Sequence, residues 1–264
     1  MNLETMTVEE LDYGVHVVTI NNPPANTLNA GIQRDLLQLL EEVENNQAIR
    51  ALVFKSANPK IFIAGADLGS MGATEGSVDM ANSSKHVQDI FNRLEAVRVP
   101  TIAAINGHAL GGGCEFVLAC DFRIMGQGTI GLTEASLGLL PGAGGTQRMT
   151  RLLGGAKARE LMYLSKRLKA EEAAAIGLIT EAVSPEEVEE KAISFATTLA
   201  QSAIGAIGLI KESILAAEEL PLEQGLLVER EAFAKTFTTG EAEEGIRAFF
   251  EKRPPNFLKP VTNQ

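Results

Sequence analysis

The chain has 264 residues, 45 % of them hydrophobic and 22 % charged, and carries a formal net charge of −11. That length holds one large domain, or a core with a smaller appendage, and the balance is that of a globular chain rather than a disordered one. The acidic total argues against a nucleic-acid binder, which needs a basic face; the longest cationic stretch, Lys166-Arg167-Leu168-Lys169, reads as a solvated helix end.

Taken in order, Met1-Asn2-Leu3-Glu4-Thr5 has no basic region ahead of an apolar run, so no signal peptide is expected. Residues 15–20 read as a strand, closed by Asn21-Asn22-Pro23-Pro24. Across 30–43, Ile32, Leu36, Leu39, Leu40 and Val43 recur at helical spacing. A short buried strand at 51–54 is followed by a helix at 84–96 with Val87, Ile90, Phe91 and Leu94 on one face, then a strand at 101–105. The segment 122–131 looks like two further strands with no helix between them, which argues against a plain doubly wound sheet. Beyond about Pro185 the pattern is helical, at 186–199, 205–217, 222–237 and 241–252. The expectation is a mixed α/β core over 1–200 with a helical C-terminal region over 201–264, packed on the core or on a neighbouring subunit. With no Trp and 5 % aromatics, the core is expected to be aliphatic.

Apolar stretches are interrupted by Gly or charge before membrane-spanning length, so no membrane segment is expected. Cys114 and Cys120 match neither a disulfide framework nor a metal knuckle. Reduced thiols in a cytoplasmic protein, with no bound metal, are the simple reading.

Two Gly-rich stretches follow strands: Ile61-Phe62-Ile63-Ala64-Gly65-Ala66-Asp67-Leu68, and Asn106-Gly107-His108-Ala109-Leu110-Gly111-Gly112-Gly113-Cys114-Glu115, which leads into an apolar helix at 116–119. A strand–glycine–helix junction points unpaired backbone N–H groups outward, suited to a phosphate or a developing oxyanion. Neither stretch has dinucleotide-turn or P-loop spacing, and each could be no more than a tight turn. Glu115 and Glu134 lie among apolar and small residues, where a carboxylate must be paired or hold its proton. Helix-start carboxylates satisfied by backbone donors are the alternative. Cys114 as a nucleophile and His108 as an acid–base group are weaker candidates, and His16 and His86 read as structural or solvated.

Ala64-Gly65-Ala66-Asp67, Asn106 to Glu115, Cys120-Asp121, and Glu134 followed by Pro141-Gly142-Ala143-Gly144-Gly145-Thr146-Gln147-Arg148 together resemble the enoyl-CoA hydratase (crotonase) family in order and spacing, over nearly the whole chain. The resemblance implies a spiral of ββα units with a C-terminal helical trimerisation region, and a homotrimer or a homohexamer built as a dimer of trimers. It implies an acyl-CoA thioester substrate with coenzyme A as part of that substrate, and no separate cofactor. It places an oxyanion hole on the amides of Ala66 and Gly112 and the acid–base pair on Glu115 and Glu134. Coenzyme A is implied to lie along Ala64, Ala66, Asp67 and Leu68, with Lys60 and Lys252 near its phosphates, the latter from a neighbouring subunit, and with Phe233 near the acyl pocket. Within the family, Δ3,Δ2-enoyl-CoA isomerisation and hydration of a branched or dicarboxylic substrate are the rival activities. A non-catalytic thioester-binding or RNA-binding module is the rival of another class. The apolar positions Leu222, Leu226, Phe233, Phe237, Phe249 and Phe250 on the C-terminal helices are expected to face a sister chain.

Overall fold

The structure, a computed structural model, describes residues 1–69 and 76–258. Strands β1 (Met6–Glu10) and β2 (Val15–Ile20) form an antiparallel hairpin, and helix α1 (Ala30–Asn45) carries the chain to β3 (Ala51–Ser56), parallel to β2. From there consecutive strands alternate between two sheets. Strand β4 (Ile61–Ile63) starts the second sheet and is followed by α2 (Ser77–Ala96); β5 (Thr101–Ile105) returns to the first, β6 (His108–Leu110) to the second, and α3 (Gly112–Leu118) follows. Strands β7 (Phe122–Met125) and β8 (Ile130–Gly131) repeat the step. With β9 (Glu181–Ala182) the larger sheet runs β1-β2-β3-β5-β7-β9 and the smaller runs β4-β6-β8, every pairing after the first hairpin being parallel. This is an α/β spiral of ββα units.

Parallel strands covered on both faces must be apolar on both. One face of the larger sheet, through Val18, Ile20, Leu52, Phe54, Ala103 and Ile105, joins the main core. The other packs Val15, Val17, Ala51, Val53, Ile102 and Ala104 under α6 (Val188–Ala200), whose Ala192, Ala196 and Ala200 recur every four residues and let the helix lie close to the strands. The expectation of an aliphatic core holds except at its centre. There Phe116 of α3 meets Phe54, Phe62 and Phe91 at ring-centroid distances of 5.2, 6.1 and 5.8 Å. Phe116 therefore pins α3 against both sheets and α2, and it is the residue after Glu115.

Helices α4 (Gly145–Tyr163) and α5 (Ala170–Ala175) precede β9; α7 (Ile204–Glu219), α8 (Leu222–Thr236) and α9 (Glu241–Glu251) close the chain. Helix α4 escapes the periodic reading because Gly154, at φ +76° and ψ 154°, breaks it in two. Helix α2 begins seven residues before the expected 84. The Lys166-Arg167-Leu168-Lys169 segment is not simply a solvated helix end: Leu168 and Ile130 exchange two backbone hydrogen bonds of 2.9 Å. Among the described residues no single helix is long and apolar enough to cross a membrane; α6 and α7 are apolar together but bend by 102° at their junction.

Candidate active site

Chemistry gathers at the C-terminal ends of β4, β6 and β8. Gly111, between β6 and α3, sits at φ +53° and ψ −123°, which side chains other than glycine resist. A β-carbon on Gly113 would lie 2.1 Å from the Ile63 carbonyl oxygen, so glycine there lets α3 start against β4. Gly112 is the first residue of α3, and its N–H has no carbonyl one turn earlier to bond. Its own β-carbon would stand 3.3 Å from the Ala66 amide nitrogen. Ala66 is fixed by a bridge to Leu28, whose N–H donates to Gly65 O at 2.9 Å. Two backbone amides from successive turns of the spiral are thereby set side by side.

Glu115, in the first turn of α3, is only 3 % exposed. Its Oε1 accepts from the amides of Ala143 (2.7 Å) and Gly145 (2.8 Å), while Oε2 takes no donor from the described residues. Burial pushes its carboxyl up to about 7, the charge of Glu134 adds to the rise, and the two amides and Arg148 oppose it. Glu134 opens a short 3-10 turn, Glu134–Leu137, just beyond β8. Its carboxyl is also raised, chiefly by burial, and its Oε2 is buried with no hydrogen-bond partner among the described residues. Each glutamate lies against a glycine of the site, and each feels the other's charge: a β-carbon on Gly111 would lie 3.0 Å from Glu134 Oε1, one on Gly145 2.9 Å from Glu115 Oε1, and the Glu134 charge raises the Glu115 carboxyl. Burial, more than mutual repulsion, is what raises the proton affinity of both carboxyls.

The weaker candidates fall away on geometry. Cys114 is buried, and burial together with the charges of both glutamates raises its thiol well above the ordinary value, which suppresses a thiolate. His108 lies at the start of β6, the far end from Gly111, and its Nδ1 accepts the Thr129 N–H at 3.1 Å. His16 is buried within β2 and His86 is exposed on α2. The Asn106 side chain ties the ends of β3 and β5 together, and Asp121 accepts from Thr101 and from Lys211 Nζ at 2.8 Å, so both are structural. No three His, Cys, Asp or Glu side chains gather as metal ligands among the described residues.

The residues assigned to coenzyme A are only partly brought together. Ala64, Ala66 and Asp67 are half-buried beside the amide pair, and Leu68 is exposed. Ala64 N–H donates to Ala25 O (3.1 Å), and Asp67 Oδ1 accepts the Gly69 amide (3.1 Å). Lys60 sits at the opposite end of β4 from Ala64, about 13 Å of extended chain away. Phe233 is exposed on α8, edge-on to Phe237, and α8 packs on α7. Lys252 caps α9, whose Glu241 carboxylate accepts the Gly205 and Ala206 amides of α7. Sequence reasoning missed the Ala143 and Gly145 donors, although the Gly142-Ala143-Gly144-Gly145 run ahead of α4 is the same type of signal as the stretches it did select.

The profile of the family described as enoyl-CoA hydratase/isomerase matches residues 10–260. The short-chain-enoyl-CoA hydratase of Clostridium acetobutylicum is 37 % identical over 90 % of this chain and 92 % of its own length. A solved enoyl-CoA hydratase from Bacillus anthracis superposes with a TM-score of 0.90 at 36 % identity, covering 97 % of this chain and 99 % of that one. Pseudomonas aeruginosa DspI gives a TM-score of 0.90 at 38 % identity, with 97 % of each chain covered.

Glu115 binds its proton more tightly folded than unfolded. Its contribution to stability is therefore full below the ordinary 4.5 and is lost as pH rises through about 7. Glu115→Gln keeps an acceptor oxygen for the two amides and removes the buried charge. It is expected to raise the unfolding free energy by on the order of 3 kcal/mol near pH 8 and by under about 1 kcal/mol near pH 5. Urea unfolding at the two pH values checks this, and an equal effect at both would contradict it.

Proposed function

The chain belongs to the enoyl-CoA hydratase/isomerase family of enzymes, and on that footing we propose that it adds water across the double bond of a 2-enoyl-CoA thioester to give the 3-hydroxyacyl-CoA. One observation carries the reading: a buried and a half-buried carboxylate, both with raised proton affinity, lie beside an adjacent pair of backbone amides. When water attacks C3 of the conjugated thioester, charge moves onto the carbonyl oxygen. The Ala66 and Gly112 amides are the donors assigned to that enolate, and losing one such donor typically costs about 2.7–4 kcal/mol. Glu115, steadied through Oε1, takes the proton from water with its other oxygen, and Glu134 delivers a proton to C2. These steps ask for oxyanion donors and proton transfer, which the chain's own atoms supply; coenzyme A enters as part of the substrate.

On this reading residues 1–200 carry the chemistry and 201–264 the assembly, in acyl-CoA catabolism such as fatty-acid β-oxidation. The free, buried thiols of Cys114 and Cys120 suit a reducing compartment such as the cytoplasm. Leu222, Phe233, Phe249 and Phe250 are 77, 65, 78 and 77 % exposed in the single chain. Their number on α8 and α9 supports a homotrimer or a doubled trimer that would cover them. In such an assembly Lys252 reaches a neighbouring site, and with Lys60 it is assigned to the coenzyme A phosphates.

Loss of the ultraviolet absorbance of the conjugated thioester, followed over straight, branched and dicarboxylic substrates, tests the activity and reads chain preference together. Glu115→Gln and Glu134→Gln are each expected to lower hydration by about 10²–10⁴-fold. Full hydration by Glu134→Gln would leave a one-carboxylate mechanism, and conversion of a 3-enoyl to a 2-enoyl thioester in its place would favour the isomerase. Light scattering at micromolar concentration is expected to give three or six copies of the 28.1 kDa chain. Lys252→Ala should then raise KM more than it lowers kcat, because the phosphates lie far from the reacting carbons. A fully active monomer would overturn both the assembly and the shared site.

A further inference from the structure

Helix α2 carries Ser84, Gln88, Asn92 and Glu95 at spacings of four, four and three residues, which places them along one face. Ser84 and Gln88 reach the turn ahead of α4, and Asn92 and Glu95 reach Arg148 in the first turn of α4 itself. Ser84 Oγ donates to Gly142 O at 2.6 Å, and Gln88 Nε2 donates to the same carbonyl at 2.8 Å and to Ser84 Oγ at 3.1 Å. Asn92 Oδ1 and Glu95 Oε2 accept from Arg148 at 2.6 and 2.9 Å, and Arg148 Nη1 donates to Ala143 O at 3.2 Å.

The Gly142 carbonyl and the Ala143 N–H belong to one peptide unit. A trans peptide is planar, with C=O and N–H pointing in opposite directions, so a grip on one end sets the aim of the other. Here the carbonyl end is gripped twice from α2, and the N–H end donates to Glu115 Oε1 at 2.7 Å. The second donor follows the same plan. Gly145 N–H belongs to the peptide whose carbonyl, Gly144 O, accepts the amides of Gln147 and Arg148 at 3.1 and 3.0 Å as α4 begins. That second unit is fixed by the helix start itself, whereas the first is fixed only by side chains of α2. We propose that Ser84 and Gln88 are positioning residues for Glu115, acting through the Gly142–Ala143 peptide, with Arg148 holding the next carbonyl of the turn. The inference rests on Glu115 acting as the base of the proposed hydration.

Freeing the Gly142 carbonyl lets the Ala143 amide swing from Oε1. The carboxylate then loses a donor that favours its charged form, and it also loses its aim at the water. The other charged and titratable groups facing Glu115 are Glu134 from the 3-10 turn, Arg148 from α4 and Cys114 beside it in α3, and substituting Ser84 or Gln88 adds or removes no charge. Loss of the amide therefore has its own signature: the limb of the pH profile that reports ionisation of Glu115 moves to higher pH.

The test is the pH dependence of kcat and KM on a 2-enoyl-CoA for the Ser84→Ala/Gln88→Leu double variant, with Ser84→Thr as the conservative control. The expected result is a fall in kcat of up to about 10²-fold, the size associated with a misplacement of about 1 Å, with KM little changed and the limb displaced upward. Ser84→Thr, which keeps the hydroxyl, should remain near the parent in both. Should the double variant fail to fold, Gln88→Leu alone carries the same expectation at reduced size. A folded variant with the parent's kcat and profile, or one whose kcat falls while the limb stays put, would overturn the positioning role. Glu115→Gln assayed alongside separates the two readings. If it is inactive, a failure of the α2 variants counts against this inference alone; if it is fully active, the base assignment falls and takes the inference with it.

Discussion

Glu115 is a buried carboxylate that receives two backbone donors on one oxygen and none from the described residues on the other. Full satisfaction would stabilise its charged form and draw its proton affinity down; complete isolation would leave it permanently protonated. Two donors against near-total burial leave it close to balance at neutral pH, which suits the proposed role of taking a proton from water. The surrounding structure serves to hold that balance. Phe116 locks α3 from behind, Gly111 and Gly113 let the helix begin against β4, and the turn at 142–145 brings the donors from α4.

The spiral explains why groups distant in sequence meet. Each ββα turn ends one strand of the small sheet at the same edge, so Ala66 after β4, Gly112 after β6 and Glu134 after β8 arrive together. One repeat supplies a donor amide, the next a donor amide and a carboxylate, the third a second carboxylate. Burying both carboxylates is unfavourable for stability, and the aliphatic mass on either face of the larger sheet offsets it.

What was legible in the sequence follows the length of the signal. Helix α1 and the four helices from 188 onward stood out because apolar residues repeat over three or more turns. Strands β4 and β6 of the small sheet did not, since three residues are too few for a two-residue period to register, whereas β8 falls within the stretch 122–131 read as two strands. The carboxylates were visible because a charge inside an apolar run is costly, and the glycines because they bunch. The Ala143 and Gly145 donors were passed over although their glycine run bunches in the same way, because nothing in the sequence ties that run to Glu115, 28 and 30 residues earlier. Ser84 and Gln88 were hidden for a different reason: on a helix with an exposed polar face, two more polar residues look ordinary until the turn they hold is seen.

The proposed chemistry depends on the proton held by Glu115. Difference infrared spectra between the unaltered protein and its Glu115→Gln variant, titrated from about pH 5 to about pH 9, isolate that single carboxyl. The expected result is a protonated-carboxyl band that gives way to carboxylate with a midpoint of about 7. A carboxylate signal that is already the greater part developed at about pH 5 and shows no midpoint near 7, as the ordinary 4.5 requires, would contradict it.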